Sequence, residues 1–122
     1  LRLFDDSGSA RRTENIVREE YSYELQNIGR IAEAYKQNDI ALAGYRTNAR
    51  LQPNNYQVLR ALPAALRPSG EMYRDTGDPA KGCARFREAD AIWTALAKAN
   101  RVSKFDADND VKLIKARLAK CS

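Results

Sequence analysis

The sequence predicts an all-α fold built from stacked antiparallel helix hairpins, on three observations. Helix-forming Ala, Arg, Lys, Glu and Leu dominate the 122 residues, while Val, Ile and Phe are sparse. No stretch alternates apolar and polar residues in β-branched runs, so no strand is expected. Apolar residues recur instead at helical spacings of three and four, between Gly, Pro and Asn-Asp breakers.

Residues 1–12, with Asp5-Asp6-Ser7-Gly8-Ser9, read as a flexible lead-in, and 13–122 as a single helical-repeat domain. Thr13 is an N-cap with Glu14, Glu19 and Glu20 close behind, opening a long helix to about Gln37. Its apolar stripe is Val17, Tyr21, Leu25, Ile28, Ala32 and Tyr35. Asn38-Asp39 breaks that helix, and Asp39 caps a shorter one that ends near Leu51, before Pro53. A third helix starts near Asn55 and runs to Thr76, with a kink or break expected at Pro63 and Pro68. Gly77-Asp78-Pro79 combines a left-handed C-cap, an N-cap and a first-turn proline. A fourth helix follows to about Asn100. A fifth, from about Asp106 to Lys120, carries the stripe Val111, Ile114, Leu118 and Cys121. Short connections make consecutive helices antiparallel neighbours.

The composition excludes several kinds of chemistry. With no histidine, Ser-His and Cys-His nucleophiles and imidazole zinc sites are out, and two cysteines alone cannot complete a zinc site. No catalytic residue, metal or cofactor is therefore expected, and the chain reads as a non-enzyme. Its longest apolar runs are too short to span a membrane. It starts at Leu1 without a visible signal peptide, and is read as a processed protein or a fragment. The net charge is +5, but the signs are interspersed, as in Arg85-Phe86-Arg87-Glu88-Ala89-Asp90. Lys112, Lys115, Arg117 and Lys120 form the densest basic run. It reads as a solvated helix face, with an anionic-partner patch as the alternative.

Other constellations weigh toward structure. Asp106-Ala107-Asp108-Asn109-Asp110 imitates a calcium loop, but Val111 and Arg117 occupy the positions that need Gly and Glu, so helix-capping aspartates are expected. Asp5-Asp6 and Glu19-Glu20 read as solvated charge, because neighbours on a helix diverge. Ser7-Gly8-Ser9 lacks the pattern of a phosphate loop. Phe86, Trp93 and Leu96 read as core rather than a ligand pocket. Tyr35, Tyr45 and Tyr73 read as packing residues, and Tyr23 as an exposed contact.

The two cysteines carry the sharpest inference. Helices four and five form a hairpin with its tip near Val102, and Cys83 and Cys121 lie equally far from it on either side. An antiparallel hairpin sets such positions side by side, so a Cys83–Cys121 disulfide is expected, with two buried free thiols as the alternative. The disulfide would imply a periplasmic or secreted location.

Gly70, Tyr73, Gly77-Asp78, Phe86 and Ala89 together resemble the tetratricopeptide repeat, a helix hairpin of ~34 residues. Leu25, Ile28, Gly29, Ala41, Tyr45 and Pro53 resemble a first copy, although Asn38-Asp39 falls late in its register. Gly82 stands where the family usually has alanine. The pattern also resembles the C-terminal tetratricopeptide-like segment of some bacterial serine/threonine kinases and regulators. The resemblance implies two repeats plus a C-terminal capping helix, with a protein or peptide partner in the groove lined by first helices. Carried over by position, that groove offers Tyr23, Gln26, Arg30 and Glu33, then Arg67, Glu71 and Arg74. Nucleic acid is the less favoured partner. A basic nucleic-acid or anionic-surface binder and a purely structural cap of a larger signalling protein are the alternative functions. The partner's identity and the oligomeric state are not readable from the sequence.

Overall fold

The structure, a computed structural model, describes residues 8–121. They form α1 (Gly8–Asn27), α2 (Ile31–Leu51), α3 (Tyr56–Asp75), α4 (Pro79–Lys98), α5 (Lys104–Asp108) and α6 (Asp110–Leu118), with no strand among the described residues. The chain divides into two compact units between Leu59 and Arg60. Among the described residues no helix is long and apolar enough to cross a membrane.

The first unit is the hairpin α1–α2. Its turn corrects the expected boundaries. The helix already begins at Gly8, inside the expected lead-in, whose residues 1–7 lie outside the described part, as do Asp5-Asp6 and Ser7. It ends at Asn27, because Gly29 takes φ +82 and closes a Schellman cap: the Gly29 N–H donates to Gln26 O and the Arg30 N–H to Leu25 O. Asn38-Asp39, expected to break the chain, lies inside α2. Asn38 is buried, and its amide donates to Ser22 Oγ at 3.2 Å. Tertiary packing thus overrides a weak local preference.

The α1–α2 interface is unusually polar. Tyr45 OH donates to Glu19 Oε1 at 3.0 Å, Arg18 to Gln37 Oε1 at 3.0 Å and Arg11 to Asn48 Oδ1 at 2.9 Å. Arg11, early in α1, meets Asn48, late in α2, while Ser22, later in α1, meets Asn38, earlier in α2, which is the antiparallel pairing of a hairpin. Leu25, Ala34, Ala41, Leu42 and Tyr45 supply the apolar core. The expected α1 stripe is not that core. Leu25 is buried, but Val17 (59%), Tyr21 (48%) and Ile28 (67%) are exposed, while Asn15 and Ser22 face inward. Glu19 is half-buried rather than solvated. Burial pushes its carboxyl above the ordinary range, the Tyr45 hydrogen bond opposes the shift, and Glu20 adds to it.

The second unit holds α3 from Arg60 onward with α4, α5 and α6. α3 runs unbroken through Pro63 and Pro68, where a kink or break is expected from sequence. Asp78 caps α4 by accepting from the Lys81 N–H at 3.1 Å, with Pro79 in the first turn as expected. α3 and α4 cross at Gly70 and Gly82. A Cβ on Gly82 would stand 2.6 Å from Gly70 O, and one on Gly70 2.5 Å from the Phe86 ring. Alanine at either position collides with backbone or ring. Tyr73, Phe86, Ala89, Trp93, Leu96 and Ile114 fill the core, and Lys81 caps the Tyr73 ring at 4.6 Å. The expected fifth helix is two, split at Asn109, and Ser103 caps the first by accepting from the Asp106 N–H. Cys83 and Cys121 stand at disulfide distance, with α-carbons 5.9 Å apart.

Candidate functional site

α5 and α6 are held to α3 and α4 by a set of charged hydrogen bonds. Arg60 makes a two-pronged pair with Asp106, both contacts 2.7 Å. Asp110 accepts from Arg67 Nε at 2.8 Å and from the Trp93 indole N–H at 2.9 Å. Glu71 accepts from Arg67 and, at 2.8 Å, from Arg117. Arg60, Arg67 and Glu71 recur at helical spacing, so they line one face of α3 and address α5 and α6 in order. Asp106 and Asp110 are buried. They are therefore anchors of the core as well as residues near helix starts, a role that the capping assignment misses. No sequence signal pairs them with Arg60 and Arg67, because the partners lie more than forty positions away.

This frame leaves a cleft of about 460 Å³ between α4 and α5–α6. Trp93, Ala97, Val102, Ala107 and Val111 give it apolar walls, and Thr94, Asp90, Lys98 and Lys115 complete its lining. Lys115 pairs with Asp90 across α6 and α4 at 3.4 Å. Phe86 and Leu96 stay in the core as expected, whereas Trp93 serves both the core and the cleft. From sequence, Val102 reads as the hairpin tip, Ala107 as part of the aspartate-rich run and Val111 as a stripe residue, and none as a cleft wall.

The positions implied by the resemblance fall as follows. In the first unit Tyr23 is half-buried and its hydroxyl lies 3.4 Å from the Asn38 amide, while Gln26 is half-buried. Arg30 and Glu33 are exposed and pair with each other. In the second unit Arg67 and Glu71 belong to the network around α6, and Arg74 is exposed and paired with Asp75 at 2.8 Å. Among the described residues no group of His, Cys, Asp and Glu could hold a metal ion.

No protein-family model, curated protein or solved structure matches the chain.

Hairpin α1–α2 runs from Gly8 to Leu51, beyond the ~34 residues of a tetratricopeptide unit, and its turn falls at 28–30. Gly29, read as a first-helix residue of the first copy, is thus in the turn. In α3–α4 the quoted residues lie where a helix crossing requires them: Gly70 against Phe86 and Gly82, with the turn at Gly77-Asp78.

Proposed function

We propose that the chain is a non-catalytic module that binds a protein or peptide segment in the cleft between α4 and α5–α6. The observation that carries this reading is the cleft itself: an open apolar concavity of ligand-binding size, on helices held in place by buried charged hydrogen bonds. A rigid frame around an apolar recess lowers the ordering cost of binding. Its few polar groups sit among apolar walls, which suits an apolar side chain better than a polar metabolite.

The positions implied by the resemblance are weaker candidates. Arg67 and Glu71 already neutralise Asp110 and Arg117, and a partner would have to break those pairs. The crossing of α3 and α4 supports a tetratricopeptide-like origin for that hairpin alone. The Cys83–Cys121 geometry supports a disulfide, and with it a periplasmic or extracellular location.

The test is recovery of partners by pull-down and mass spectrometry, followed by competition with an Ala97→Phe variant, which fills the cleft. The reading expects that variant to lose the partner while keeping its helical circular dichroism. Retained binding would move the site elsewhere. A loss of affinity with salt that is steep and independent of sequence would instead favour the basic surface of α6.

A further inference from the structure

We infer that the segment received by the cleft is acidic and carries a large apolar side chain; this rests on the cleft being the binding site. The sign of the rim decides it. The carboxylates of α5 and α6, none of which lines the cleft, are already matched: Asp106 by Arg60, Asp108 by Lys104 and Asp110 by Arg67. Asp90 is the carboxylate of the lining, and Lys115 meets it at 3.4 Å. That leaves the Lys98 ammonium, on the last turn of α4, exposed and without an ion-pair partner among the described residues.

Lys115 is itself 65% exposed, so its contact with Asp90 is loose enough to share with an incoming carboxylate. The rim therefore presents two ammonium groups against one carboxylate. Apolar walls beneath them focus that field toward the ligand. The α4 carboxyl end, whose partial negative charge opposes an acidic partner, is offset by Lys98. Its carbonyls are also satisfied by the Asn100 and Arg101 N–H groups, which donate to Ala97 O and Leu96 O. The walls select an apolar side chain, and the two lysines select its carboxylate neighbours. Charge at such a rim sets specificity and association rate more than raw affinity.

The experiment is selection of a random dodecapeptide phage library on the full chain, in parallel with Lys98→Glu and Ala97→Phe variants. Circular dichroism checks the fold of each. The proposal expects enriched peptides to place an aromatic residue or leucine beside Asp or Glu. A selected peptide should bind Lys98→Glu several-fold more weakly at low salt, and Ala97→Phe should abolish binding. Apolar peptides enriched without acidic neighbours, and bound equally by Lys98→Glu, would overturn the inference and leave the cleft as the site. Acidic peptides without an apolar residue would overturn it in favour of a diffuse basic surface. No enrichment sensitive to Ala97→Phe would overturn both the inference and the cleft.

Discussion

Asp110 joins three helices through one side chain. It accepts from Arg67 on α3 and from Trp93 on α4 while standing in the first turn of α6. Asp110→Ala removes one of the two carboxylates that Arg67 pairs with, leaving it Glu71, and strips the buried Trp93 indole N–H of its acceptor, so it should cost about 1–3 kcal/mol in urea unfolding. Asp110→Asn keeps an acceptor for the indole and should cost less. Glu19 offers a pH test in the first unit. Its folded pKa is raised above the ordinary 4.5, so its favourable contribution is complete below that value and is lost as pH rises through the folded pKa. Glu19→Gln retains an acceptor for Tyr45 without the buried charge. It should therefore be more stable than the parent at neutral pH, and the advantage should vanish in acid, as read from melting temperatures across pH. At this scale the sequence is a poor guide to partners. Nothing in Glu19-Glu20 or in the aspartates at 106 and 110 tells that one carboxylate of the first pair and two of the second set turn inward. That depends on donors brought from distant helices.

Helices were legible where the chain carries its own stop signals. Gly77-Asp78-Pro79 fixes the α3–α4 turn, and the stripe around Ile114 identifies the face that α6 buries. The α1–α2 turn was hidden because apolar periodicity continues through Ile28 and Ile31 and only Gly29 marks the reversal. Asn38-Asp39 then offered a stronger but false breaker. The inner face of α1 was misread for a related reason: it is polar, so periodicity points to the outer one. The α3–α4 crossing gives the element-scale test. Gly70→Ala forces Phe86 or the Gly82 carbonyl to move and should cost about 1–3 kcal/mol. The cysteine pairing was legible from hairpin symmetry alone, since α4 and α6 run antiparallel, with Trp93 meeting Asp110 and Asp90 meeting Lys115. With a separation of 38 residues, reduction should remove roughly 3–4 kcal/mol and speed hydrogen exchange at the end of α6. Two freely titrating thiols in the unreduced protein would contradict the bond and the compartment inferred from it.

For the molecule as a whole, fold class was legible and the proposed binding site was not. Helix-forming composition and breaker spacing dictate an all-α chain. The cleft, however, is bounded by residues from α4, the connection at Val102, α5 and α6, which side chains distant in sequence hold together. We propose that this cleft receives the partner. The most direct test is a titration of the isotope-labelled chain with a cleft-selected peptide, followed by two-dimensional amide NMR. A partner seated in the cleft should give saturable shifts at the Trp93 indole N–H and at the amides of Thr94, Ala97, Val102, Ala107 and Val111, with Tyr23, Gln26, Arg30 and Glu33 unmoved. Saturable shifts confined to those four residues, or to Arg67, Glu71 and Arg74, would contradict it.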